Sequence, residues 1–125
     1  MLDEGAPLYF QVAERLAEEI ADGILVEGER VPSTNELAAY YRINPATAAK
    51  GVNILTDDGL LEKRRGIGMF VAVGARQRLL AERRTRFVAR YVAPLVAEAE
   101  RLGIDTDELL ALVRASSNAR GGVTV

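Results

Sequence analysis

The residues with chemistry to offer lie between Ser33 and Gly66. Asn44, Pro45, Ala46, Thr47 and, nearly a turn further on, Lys50 set an amide, a hydroxyl and one ammonium among small groups. Such a set donates hydrogen bonds to phosphate oxygens and base edges, and its small side chains let a backbone approach a duplex. Ser33 and Thr34 add two hydroxyls at a second helix start, where the positive dipole end can hold a phosphate. Arg64-Arg65-Gly66 adds two guanidinium groups beside a glycine, a combination suited to a loop tip in a minor groove. This is binding chemistry directed at a polyanion. Catalysis is poorly served, because the chain has no histidine and no cysteine. The commonest general base and the thiolate ligands are therefore absent. Asp57 and Asp58 sit side by side at a helix end rather than across a cleft. No enzyme activity, metal or cofactor is expected.

The elements that position these groups follow from local signals. Ser33 with Glu36 three residues on is a capping box, which starts a helix carrying Leu37, Ala38 and Tyr41 on one face. Arg42 ends it, and Ile43 is expected as a buried anchor in the turn. Asn44 caps a second helix, and Pro45 suits its first position because its missing N–H costs nothing there. Ala48, Val52 and Leu55 form the core stripe of that helix, and Ala46, Thr47, Lys50 and Asn53 form its opposite face. A strand around Leu60 to Lys63, a basic turn and a return strand at Met69 to Val71 make a hairpin. The expected fold class is mainly α with a small β hairpin: a winged helix-turn-helix domain followed by a short helical dimerisation appendage.

The ordered motifs P-L-Y, G-E-R-V-P-S-x-x-E-L-A, N-P-x-T, L-x-x-D-G-L-L and R-G-x-G-x-F-V run in one register from about Pro7 to Ala72. In this the chain resembles the GntR family of bacterial transcription regulators, and most of all its YtrA-type subfamily. The resemblance implies a DNA-binding repressor, with Thr47 facing the groove. It also implies a palindromic operator near the protein's own operon, often one encoding an ABC transporter. Two arginines common in the family are replaced here by Asn35 and Ala49. A winged-helix protein–protein interaction module is the alternative reading. The detached DNA-binding head of an aminotransferase-fused member is a weaker one.

Charge is uneven. The net value of −2 divides into −7 over residues 1–41, +2 over residues 42–75 and +3 over residues 76–125. Local charge at the groove matters for binding more than the sum. With 49% hydrophobic and 27% charged residues the composition is ordinary for a folded protein. No apolar run approaches the ~18 residues of a membrane span and no signal peptide is evident, so a cytoplasmic protein without a membrane partner is expected.

Upstream of the capping box, Leu8, Val12, Leu16 and Ile20 form an amphipathic stripe on a helix ending at Gly23. Arg30-Val31 is a candidate third strand. Domain boundaries are expected at residues 1–74 for the winged domain, 75–115 for a two-helix dimerisation region and 116–125 for a flexible tail. In the second region Leu80, Phe87, Val88, Tyr91, Leu95, Leu102, Leu109, Leu112 and Val113 supply an apolar face for a second copy of the chain. Pro94 falls inside this pattern, so a kink is expected near Tyr91 to Ala93. Gly103 ends that helix, and Asp105 with Glu108 caps the next. Expected partners are double-stranded operator DNA, a second copy, and a small-molecule effector of unidentified chemistry acting through the kink. The arginines from Arg76 to Arg90 are left between a solvated face, phosphate contact and pairing with acids of a partner.

Overall fold

The computed structural model describes residues 5–121. Helices α1 (Leu8–Ala21), α2 (Thr34–Tyr41) and α3 (Pro45–Asp57) precede a hairpin of β1 (Leu61–Arg64) and β2 (Gly68–Val71). Helices α4 (Ala75–Phe87), α5 (Ala93–Arg101) and α6 (Thr106–Gly121) follow, with a π-helical turn over Val88–Val92 joining α4 to α5. The chain packs as two units, the first ending at Glu82 and the second beginning at Arg83.

The first unit is built on the α1 stripe. Val12, Leu16 and Ile20 are almost completely buried, and they meet Ala48, Val52 and Leu55 of α3 and Leu37 and Ala38 of α2. Burying a side chain such as Leu16 stabilises by about 1.5–3 kcal/mol. Leu8, expected on the same stripe, is 41% exposed. It lies in the first helical turn, and a helical side chain leans over the turn N-terminal to its own Cα, which here lies beyond the helix end. Ile43 is half-buried against the core rather than fully enclosed.

Gly51 lets α1 and α3 touch backbone to side chain. A Cβ added there would lie 2.6 Å from the Tyr9 carbonyl oxygen and 2.9 Å from Val12 Cβ, inside van der Waals contact. In the hairpin Leu61 pairs with Val71 and Arg64 with Gly68. The expected third strand is present as a bridge: Arg30 pairs with Phe70, and Val31 N donates to Met69 O at 2.9 Å. The wing is thus anchored from both sides.

Ala75 and Leu79 are buried in the same core, with Leu80 half-buried against it. The first turns of α4 therefore pack with the winged unit, which reaches Glu82 rather than stopping at residue 74. Leu80, expected on the dimerisation face, instead packs against this core; the period of an apolar stripe does not say which of two cores it meets.

The second unit consists of the end of α4, the π turn, α5 and α6. Where Pro94 leads one to expect a kink, the helix is irregular: a π-helical turn spans Val88–Val92. Ala93 N donates to Val88 O, one residue wider than an α-helical bond. The pyrrolidine ring removes a donor and crowds the preceding turn, which widens to relieve the clash. Asp105 Oδ1 accepts from Glu108 N at 2.8 Å, as its capping pattern requires. The expected tail differs: α6 runs on through Ser116 to Gly121. Arg114, Ala115, Ala119 and Arg120 are good helix formers, and a capped helix propagates easily through them. Residues 122–125 of that expected tail lie outside the described residues.

Candidate nucleic-acid interface

The helix-turn-helix is locked at both of its helix starts. Ser33 Oγ accepts from Glu36 N at 3.1 Å, and Ser33 N donates to Glu36 Oε1 at 2.8 Å. That backbone donor, with the Ser33 hydroxyl, holds the Glu36 carboxyl below its usual pKa. Asn44 Oδ1 accepts from Ala46 N at 2.7 Å, which fixes the first turn of α3. Between the helices Arg42 adopts the left-handed conformation at φ 58° and is the C-cap of α2. This tight turn sets the direction of α3. Burial raises the pKa of the neighbouring Tyr41 phenol, with the Glu19 carboxylate adding to the effect.

On α3 the predicted division of faces holds. Ala48, Gly51, Val52 and Leu55 are buried, while Asn44, Pro45, Ala46, Lys50 and Asn53 are exposed and Thr47 is half-exposed. Thr34 is likewise half-exposed at the start of α2. Lys50 does not extend freely: its Nζ sits 4.0 Å from the centroid of the Tyr9 ring on α1.

At the wing, Arg65, Gly66 and Ile67 form the loop, closed by Ile67 N donating to Arg64 O at 2.9 Å. Gly66 takes the positive φ that the third residue of the Arg64–Ile67 turn needs, as in a type II turn. Arg64 belongs to β1, not to the loop, and its guanidinium stacks 4.0 Å from the Phe70 centroid. A guanidinium on an aromatic face is steered rather than mobile. Arg30 reaches the same hairpin, since a Cβ added at Gly68 would lie 2.8 Å from Arg30 Nε. Tyr9 was invisible to sequence reasoning at this site, because a contact between distant segments brings it beside Lys50.

Two residues of the arginine cluster have internal work. Arg78 donates through Nη1 to the Asp58 backbone carbonyl at 2.6 Å, pairs through Nη2 with Asp58 Oδ2 at 2.7 Å, and meets Glu82 at 3.4 Å. The bond to Asp58 raises the Arg78 pKa above its ordinary value. Arg76 Nε donates to the Ala21 carbonyl at 3.0 Å. The first turn of α4 thus supplies cations to the C-terminal ends of α3 and α1, where the last carbonyls need donors and the dipole favours positive charge.

Residues 8–71 match the model of the bacterial regulatory proteins of the gntR family. The chain belongs to the GntR family. This GntR protein is accordingly a DNA-binding transcriptional regulator and not an enzyme. It is 27% identical over 117 residues to the HTH-type transcriptional repressor YtrA of Bacillus subtilis, an alignment covering 93% of this chain and 89% of YtrA. The similarity extends into the appendage, in keeping with the YtrA-type resemblance. A transcriptional regulator from Oenococcus oeni shares the fold with a TM-score of 0.75 at 23% identity, over 92% of this chain and 94% of that one. The DNA-binding domain of AraR, solved in complex with operator ORX1, aligns at 33% identity with a TM-score of 0.53, over 57% of this chain and 87% of that one. Among the described residues no helix is long and apolar enough to cross a membrane.

Proposed function

We propose that this GntR protein is a cytoplasmic repressor that binds a palindromic operator near its own operon as a homodimer. The α3 face of Asn44, Pro45, Ala46, Thr47 and Lys50 enters the major groove. Ser33 and Thr34 hold phosphate, and Arg64, Arg65 and Gly66 reach the minor groove. The observation carrying this reading is a capped helix whose outward face is small, polar and cationic, in a chain with a basic hairpin. The AraR domain, similar over the winged part of this chain, was solved on operator DNA. YtrA is a repressor, and proteins of its type often control ABC-transporter operons.

Dimerisation is supported by the second unit. Phe87, Val88, Tyr91, Leu95, Leu102, Leu112 and Val113 are each more than 40% exposed, whereas Leu109 is half-buried. Leu95, Leu102, Leu109, Leu112 and Val113 line an open apolar groove of about 310 Å³ on α5 and α6. So much exposed apolar surface on so short a segment marks an interaction site. A second copy placed over it supplies the two-fold symmetry that a palindrome requires.

Fluorescence anisotropy on the chain's own promoter DNA, titrated with salt, tests the function. The wild type is expected to prefer promoter over scrambled duplex and to weaken steeply with salt, and the Thr47→Ala, Lys50→Ala double variant to lose the preference. Equal, weak binding of both duplexes by the wild type would favour the protein-interaction reading. Sedimentation of Tyr91→Asp, Leu95→Asp is expected to give a monomer where the wild type gives a dimer.

A further inference from the structure

We infer that Lys50 is a phosphate contact, not a base reader, and that Tyr9 is the residue that aims it. This rests on α3 being the DNA-reading helix. Lys50 is the single cation of α3. Its ammonium is drawn back onto the Tyr9 ring of a neighbouring helix, 4.0 Å from the centroid. A lysine reading guanine must extend along the groove floor to O6 and N7. A lysine resting on the helix beside α3 keeps its charge at the rim, where the backbone phosphates run. An ammonium on an aromatic face remains a full cation with its other donors free, so the contact orients the charge without using it up.

The backbone beneath this contact is closely packed. Gly51, the residue after Lys50, brings α3 within contact of the Tyr9 backbone, where even a methyl group would sit 2.6 Å from the Tyr9 carbonyl oxygen. Val12, one turn along α1, is wholly buried in the same seam. The backbone that carries the Tyr9 ring is therefore in close contact with α3 at Gly51. The three residues make one device: Gly51 admits α1, α1 brings Tyr9, and Tyr9 aims Lys50. With Asn35 and Ala49 standing where many relatives carry arginine, this is the one directed cation of the recognition helix.

The test is anisotropy on promoter and scrambled duplexes across salt, with thermal melts on each variant. Lys50→Ala is expected to weaken both duplexes by the same factor and to reduce the log–log salt slope by about 0.9. Tyr9→Phe is expected to stay within about twofold of wild type, because the ring is kept. Tyr9→Leu is expected to cost about two- to fivefold, and nothing further when Lys50 is already alanine. A Lys50→Ala variant that loses promoter preference at an unchanged slope would make Lys50 a base reader and overturn the assignment. So would a Tyr9→Leu loss of equal size with and without Lys50. Independently of any variant, the Lys50 ε-methylene protons are expected upfield of other lysines through the Tyr9 ring current; an ordinary shift would overturn the stacking. Failure of the DNA-reading assignment itself would show separately, as a wild type with no promoter preference.

Discussion

The two units handle apolar surface in opposite ways. In the winged unit the apolar residues of α1, α2 and α3 close on one another, and Val12, Leu16, Ile20 and Val71 are almost completely buried. In the unit from Arg83 onward, Ala99 is the one fully buried residue among those described, while Phe87, Val88, Tyr91, Leu95, Val96, Leu110 and others are half in water. Three helices packed with a hairpin enclose a volume, whereas a short helix and its successor offer mainly a surface. The first unit therefore buries its own apolar surface, and the second leaves most of its apolar surface exposed.

The sharpest way to break this contrast is a pair of truncations. Leu16→Ala is expected to destabilise by about 2–5 kcal/mol at any protein concentration, measured by urea unfolding. Leu110→Ala is expected to change stability by no more than about 0.5 kcal/mol in dilute solution and by more where the second unit is paired. Equal costs for the two would erase the distinction between the units.

Gly51→Ala comes next, at about 1–3 kcal/mol, because backbone rather than a flexible side-chain end stands in the way of the added methyl. A neutral result on thermal melting would mean that α1 and α3 can separate freely. Ser33→Ala removes a cap of α2 and is expected to cost about 1 kcal/mol. Arg42→Gly has the opposite sign. It relieves a left-handed residue, a strain of about 1–2 kcal/mol that the extra entropy of an unfolded glycine partly offsets, so a small gain in unfolding midpoint is expected.

The smallest effect concerns pH. The folded Glu36 pKa lies below its unfolded value because Ser33 donors hold the carboxylate. Its contribution is present above the ordinary carboxylate range and is lost as pH falls through the lowered folded value. Urea midpoints of Glu36→Gln are expected to decline less on the acid side than those of wild type. Superimposable profiles would show that the capping box contributes nothing that titrates.

Legibility in the sequence followed the range of the interaction. The capping box at Ser33, the Asn44-Pro45 start of α3, the Asp105 cap and an irregularity in the helix before Pro94 were all readable, because each is decided within a turn of helix. The Arg30-Val31 bridge to β2 was readable only as a candidate. Leu80 was misplaced and the end of α6 was cut short, since neither a stripe nor a polar composition says where packing continues.

The sequence by itself determined the order of elements, the polar face of α3 and the basic wing, since periodicity, caps and turn residues are properties of neighbouring positions. Only the tertiary structure decided that Tyr9 lies beneath Lys50, that Phe70 holds Arg64, and that Arg76 and Arg78 tie the start of α4 to the ends of α1 and α3. These contacts join residues far apart in the chain. They exist because the buried α1 stripe brings the helices together, and no local pattern encodes which side chains then meet.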